Sequence, residues 1–292
     1  MPHLARLEAL GVVRVAGPDA RPFLQGQLTA DLRRVSASLG TLAAWCNPQG
    51  RALFLGFLIL QGEDFLWILP ASDIERCVKR LRLYVLRAKV TVEDLRGQWE
   101  VAGDLERGAP DTPAFAGDAP GEGLCRVCLP AGAGLALVAG PTRELTSWLA
   151  TNGGAQGSEA DWNLAALQAG LPWVEGPTAE RFIPQQLNLD QFGVMSFDKG
   201  CYAGQEVIAR LKYRGQVRQR LRVGHATTAL EPGQRLYRAN AQASQSAGEL
   251  LQVAPRDGLW HCTAVIDVDC EEPLFAGAPG GPRVDFAPPL RG

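Results

Sequence analysis

The amino-acid sequence predicts an α+β protein that ends in a small β-barrel. Three observations carry this. The 292 residues are too many for one small core and suit two or three compact units. The first half mixes apolar, strand-like runs with a few helical patterns. Beyond Gly215 the pattern turns to short strands separated by Gly, Pro and Asp, as in a closed antiparallel barrel.

Composition narrows the class. Apolar residues make up 46% and charged residues 21%, an ordinary folded mixture that excludes disorder throughout. Lys plus Arg number 29 against 31 Asp plus Glu, which argues against holding nucleic acid by overall charge. The N-terminus shows no secretory signal, and the longest apolar stretch, such as Ala52 to Leu60, is half of what a membrane span needs. Seven scattered cysteines without a signal read as reduced thiols in a cytoplasmic protein, with no membrane and no direct nucleic-acid partner expected.

The elements follow in order. Val12 to Val15 reads as a strand, and the Gly17-Pro18-Asp19 turn leads to a helix reaching about Leu28, with Asp19 as N-cap. Leu39 to Cys46 and Arg51 to Leu60 are strands joined by the hairpin signal Asn47-Pro48-Gln49-Gly50, and Phe65 to Leu69 is a third. Ser72 and Glu75 form a capping-box pattern ahead of a helix over Ile74 to Leu86. Strand character returns at Val90 to Val92 and Trp99 to Ala102. Residues 107 to 123 read as a surface loop. Strands at Leu124 to Leu129 and Leu135 to Val138 precede helices over about Thr142 to Ala150 and Ala160 to Ala169. From Trp173 to Gly200 no period is sustained, which marks a functional stretch or one packed by its own side chains.

The chemistry concentrates in Arg181 to Leu221. Within it, Lys199-Gly200-Cys201-Tyr202-Ala203-Gly204-Gln205-Glu206 places a cysteine between two glycines, ahead of a helix over Gln205 to Leu211. The helix N-terminus and Lys199 both favour thiolate, which is the nucleophile and the soft metal ligand. Glu206 could orient Lys199 or cap local amides. Downstream, Arg210, Lys212, Arg214, Arg218, Arg220 and Arg222 cluster without an acid from Val207 to Gly224. Spacing of two puts Arg218, Arg220 and Arg222 on one strand face, either solvated or an anion-binding rim.

The segment resembles the KGCYxGQE signature of the YgfZ-type folate-binding proteins, relatives of the glycine-cleavage T-protein, at every fixed position. FIPQ at Phe182, LNLD at Leu187, ARLKYRG at Ala209, FLQGQLTAD at Phe23 and the Cys46-Asn47-Pro48-Gln49-Gly50-Arg51 turn also match, so the resemblance covers most of the chain. It implies two intertwined mixed α/β domains up to residue 213, the inner one about 48–140, and a barrel domain over 214–292. It further implies a protein that binds tetrahydrofolate and supports assembly or repair of iron–sulfur clusters in client enzymes, including tRNA-modifying ones. Cys201 and Lys199 would then be the reactive residues. Trp162, Gln168, Gln205, Glu206, Arg210 and Arg214 would contact the folate, Trp162 by stacking. A second tryptophan of some relatives falls near Leu10 here. Gln168 stands where aminomethyltransferases carry a pterin-contacting glutamate, and their catalytic aspartate has no clear match. Two alternatives stay open: a folate-dependent aminomethyl or one-carbon transferase, and a non-catalytic scaffold stabilised by folate.

No metal site is expected. Cys125 and Cys128 form a single C-x-x-C in the strand expected at Leu124 to Leu129, where residues three apart face opposite sides, and His3, His225 and His261 are dispersed.

Overall fold

The computed structural model describes residues 4–105, 113–130, 134–154, 156–240 and 245–288. In chain order the elements are β1 (Leu4–Arg6), β2 (Leu10–Ala16), α1 (Ala20–Gln25), β3 (Thr41–Cys46), β4 (Ala52–Gln61), β5 (Asp64–Pro70), α2 (Ile74–Val85), β6 (Thr91–Asp94), β7 (Trp99–Asp104), β8 (Gly117–Asp118), β9 (Cys125–Cys128) and β10 (Ala136–Pro141). Then come α3 (Thr142–Thr151), α4 (Glu159–Gln168), α5 (Gln205–Arg214), β11 (Gln219–Ala226), β12 (Arg235–Tyr237), β13 (Gly248–Arg256), β14 (Leu259–Asp267), β15 (Leu274–Ala276) and β16 (Arg283–Phe286).

The strands form two five-stranded sheets, ordered β3-β4-β5-β2-β6 and β1-β7-β10-β9-β8, and a closed barrel, β11-β14-β13-β12-β15-β16. Strand pairing passes from the first sheet to the second between Asp94 and Trp99, inside the segment 48–140 expected as the inner domain.

Alternation along the strands explains the layers. Leu42, Ala44 and Cys46 of β3 face a core shared with Val101, Val127 and Leu137 of the other sheet. The intervening Ala43 and Trp45 face a second core with Phe23, Cys77 and Leu81 of α1 and α2. Both faces of this sheet are therefore buried, which is why its strands read as continuous apolar runs. α3 covers the far side of the second sheet through Leu145 and Leu149. The barrel has its own interior, with Leu250, Ala264, Ile266 and Leu274. Each large apolar side chain so buried stabilises the fold by ~1.5–3 kcal/mol.

The aperiodic stretch after Trp173 enters the shared core through Leu187, Leu189 and Val194. Its polar residues bind the barrel: Asn188 Nδ2 donates to Leu221 O at 3.0 Å, and Asp190 accepts two bonds from Arg220 at 2.9 Å. The stretch is mortar between the body and the barrel.

Three local expectations are corrected. The Asp19 carboxylate accepts from Lys89 N at 2.7 Å instead of capping α1, which ends at Gln25 because Leu28 already pairs with Trp45. Ser72 and Glu75 form no capping box, since Ser72 donates to Glu175 and Glu75 pairs with Lys79. A capping box does form at Ser158 and Asp161, ahead of α4. Of the expected loop 107–123, residues 107–112 lie outside the described residues, and Gly117–Asp118 pairs with β9 as an edge strand. Among the described residues, no helix is long and apolar enough to cross a membrane.

Candidate functional site

Residues 196–204 form an irregular strap that ends at α5, and three separate segments hold it. The first is the loop after α1. Ser196 N donates to Thr29 O at 3.0 Å, and Lys199 Nζ donates to Leu28 O at 2.6 Å and Ala30 O at 2.8 Å. Lys199 is only 8% exposed, and its ammonium also sits 5.0 Å from the centre of the Tyr202 ring. Burial pulls Lys199 down to about 8, opposed by the charge of Asp31, which favours the cation. Asp31 is itself held well below the usual carboxylate range, first by its hydrogen bond from Arg33.

The second segment is the turn between β3 and β4. Asn47 organises it by accepting from Gln49 N and Arg51 N at 3.0 Å and donating to Glu180 at 3.0 Å. Gly204 lies against this turn with φ +79°, and a Cβ there would meet Asn47 O and Gly50 Cα at 2.6 Å. Only glycine fits the position. At Gly200, by contrast, a Cβ would meet nothing within 4 Å. The third segment is the core itself, which receives Tyr202. Burial first, and the neighbouring Cys46 second, push the Tyr202 phenol above its usual range. Its hydroxyl is buried without a hydrogen-bond partner among the described residues.

Between these anchors stands Cys201, the exposed member of the seven cysteines. It lies four residues before the first residue of α5, whose N-cap is Gly204. Lys199, expected as its charged neighbour, spends its ammonium on the carbonyls of Leu28 and Ala30. Burial raises the thiols of Cys46, Cys77, Cys125, Cys262 and Cys270, those of Cys125 and Cys262 to about 12. What the arrangement offers chemically is one accessible thiol on a strap fixed from three sides.

The other expected residues fall in three places. Trp162, 1% exposed, lies on Gly103, where a Cβ would meet its ring at 2.3 Å. It borders a cavity of about 450 Å³ together with Leu10, Trp173, Glu175 and Gln252. The Glu175 carboxyl is raised there by burial. Gln168 is on another side of α4, exposed, in a groove of about 350 Å³ with His225, His261 and Asp285. Six residues apart on a helix is 240° around the axis, so the two do not share a cavity. Gln205, Glu206, Arg210 and Arg214 lie on α5, where the last three are exposed and make no side-chain hydrogen bond or ion pair among the described residues.

The arginine rim is corrected in part. Arg222 is buried and donates to the carbonyls of Cys270 and Ala287, and Arg220 is paired with Asp190. Both serve the barrel. Arg218 remains exposed. Sequence reasoning missed Asn47, Glu175 and Trp173, for which only the matched turn at Asn47 carried a signal. It also treated as dispersed His225 and His261, which strand register sets directly opposite each other. Among the described residues, no group of three or more His, Cys, Asp or Glu could hold a metal ion.

No family model matches the chain. A protein of Edwardsiella ictaluri named tRNA-modifying protein YgfZ is 32% identical over 248 residues, spanning 78% of this chain and 75% of the relative. The protein of the same name from Cronobacter sakazakii is 29% identical over 283 residues, 92% of this chain and 85% of the relative. Among solved structures, the glycine cleavage system aminomethyltransferase T of Bartonella henselae superposes with a TM-score of 0.69 at 14% identity, over 98% of this chain and 85% of that one. The fold is thus that of an aminomethyltransferase T, with the closed six-stranded barrel at its C-terminal end.

Proposed function

The chain belongs to the YgfZ family, and from that premise we propose that it binds tetrahydrofolate and supports, through Cys201, assembly or repair of iron–sulfur clusters in cytoplasmic client enzymes, tRNA-modifying ones among them. One observation supports this above the rest: the exposed thiol stands on a strap that three segments hold in place. A structural cysteine would be buried, as most of the others are. Lys199 is a positioning residue in this reading, since it fixes the strap and not the sulfur. Residues 1–213 would form the folate-binding region and 214–292 the barrel domain.

The residues around Trp162 fit a folate head group. A volume of about 450 Å³ lies within the usual range for small-molecule sites, ~300–1,000 Å³. Trp162 and Trp173 border the cavity while nearly fully buried, the Trp162 Nε1 has no hydrogen-bond partner among the described residues, and Glu175 and Gln252 offer hydrogen bonds to ring nitrogens and amino groups. Bound there, tetrahydrofolate would supply one-carbon or reducing chemistry. Trp162, Trp173 and Glu175 would bind and orient it, while Gln205, Glu206, Arg210 and Arg214, the other expected contacts, lie on α5 and do not line that cavity. An aminomethyl-transfer role gains no support, because Gln168 is uncharged and faces a different groove.

Two measurements test the reading. In cells lacking the protein, Cys201→Ser should fail to restore the activity of an iron–sulfur tRNA-modifying enzyme while keeping the fold and folate binding. Full restoration would remove Cys201 from the function. Calorimetric titration with tetrahydrofolate should show binding to wild type, weakened at least about tenfold in Glu175→Gln, the cost of one lost charge-assisted hydrogen bond. No heat of binding to wild type would overturn the folate assignment. Trp162→Ala is the poorer probe, since losing a fully buried indole costs ~3–5 kcal/mol of stability.

A further inference from the structure

We propose that the cleft between residues 180–186, the C-terminal end of α5 and the barrel is a binding site for a polyanionic ligand, a short chain of carboxylates or phosphates. The cleft measures about 840 Å³, roomy enough for a ligand several groups long. Four arginines line it: Arg51, Arg181, Arg218 and Arg235. Three acids line it too, and each is already engaged. Glu180 accepts from Asn47 at 3.0 Å. Glu249 takes both bonds of Arg181, at 3.0 and 2.6 Å. Asp267 accepts from Gln219 at 3.0 Å and stands 3.6 Å from Arg238.

The cations are not matched in the same way. The exposed side chains of Arg218 and Arg235 make no hydrogen bond or ion pair among the described residues, and Arg51 spends one terminal nitrogen on Arg181 O. They come from three separate stretches, the β3–β4 turn, the segment before β11, and β12, so the fold, not a run of sequence, brings them to one cleft. Each guanidinium can grip an oxyanion with two parallel hydrogen bonds, and several lining one cleft select a ligand carrying more than one. Phe182, Leu211 and Val265 give the cleft an apolar floor, which lowers the local dielectric and strengthens these contacts. Arg210, Lys212 and Arg214, exposed on the adjoining helix, add positive field at the approach.

Consecutive stretches of the same two segments border this cleft and the Trp162 cavity: residues 180–186 with 248–249 here, residues 173–177 with 251–254 there. The anion site nevertheless stands without the folate assignment, and its probes contain no aromatic ring. Sodium tripolyphosphate and a pentaglutamate peptide are titrated calorimetrically into the full chain at low salt. At least one should bind, and the tighter of the two identifies a phosphate or a carboxylate chain as the source. Arg218→Ala and Arg235→Ala should each weaken it about fivefold, and a rise to 0.2 M salt should weaken it further. Arg87→Ala, exposed in the turn that follows α2 and outside the cleft lining, should bind as wild type does. All three sites are exposed, so unchanged thermal melts are expected and are checked. Absence of binding by both probes, wild-type affinity in the Arg218→Ala/Arg235→Ala double variant, or an equal loss in Arg87→Ala would overturn the site.

Discussion

Desolvation sets five of the seven thiols apart from Cys201. Cys46, Cys77, Cys125, Cys262 and Cys270 are buried, and burial holds each as the neutral thiol, whereas Cys201 is exposed. Iodoacetamide at neutral pH, followed by residue-resolved mass spectrometry, should therefore label Cys201 first, with Cys46, Cys77 and Cys262 at least tenfold slower. Equal rates at Cys201 and Cys77 would mean that the strap does not present the sulfur in solution. At this scale the motif was readable as a string of residue types, and Cys201 stood out from its sequence neighbours alone. The direction of Lys199 was not readable. Its partners, the carbonyls of Leu28 and Ala30, lie about 170 residues away in the chain, and main-chain acceptors carry no residue signature.

At the scale of elements, the strap and the β3–β4 turn lock through glycine. Gly204 has φ +79° and its Cα lies where a Cβ would strike Asn47 O. Gly204→Ala combines a left-handed penalty of ~1–2 kcal/mol with a backbone clash, so the strap must lift away from the turn. A urea melt should show a loss of at least about 2 kcal/mol, and the Cys201 labelling rate should change in the same variant; Gly200→Ala, where space is open, should do neither. A Gly204→Ala protein of wild-type stability would show that the two segments are not locked. Both segments were visible in the sequence as separate matches, and their juxtaposition was not, because loop packing leaves no period. Helix α4 teaches the same lesson differently. Its limits were legible to within a residue, but the assignment of Trp162 and Gln168 to one pocket ignored the 240° between them. The arginines failed for a related reason. Alternation does put Arg220 and Arg222 on one face, yet Asp190 and the carbonyls of Cys270 and Ala287, which engage them, come from distant chain.

For the whole molecule, the mixed α/β body and the change to short barrel strands were legible because strand runs and turn residues are local patterns; the two intertwined domains came only from the family resemblance, and sheet order is set by pairings that local patterns do not encode. The buried titratable groups make the assembled layers sensitive to alkali in a direction that can be worked out. The thiols of Cys46, Cys125 and Cys262 ionise in the unfolded chain near their ordinary value of 9.0 but are raised by burial in the folded one, to about 12 for Cys125 and Cys262. Between those values the folded state holds more protons than the unfolded, so stability falls as pH rises, by ~1.4 kcal/mol per unit for each such thiol. Lys199 runs the other way. Its ordinary value is 10.5 and burial lowers it to about 8, so from 8 to 10.5 the unfolded chain holds the extra proton and stability rises. One lysine opposes several thiols, and the thiols prevail above pH 9. Urea unfolding under reducing conditions should show free energy nearly level from pH 7 to 9 and then a steep decline towards 11. Cys125→Ala and Cys262→Ser should each flatten that decline, whereas Lys199→Met should remove the opposing rise and bring the decline to lower pH. A free energy that keeps rising beyond pH 9 would show that the cores holding these thiols admit water.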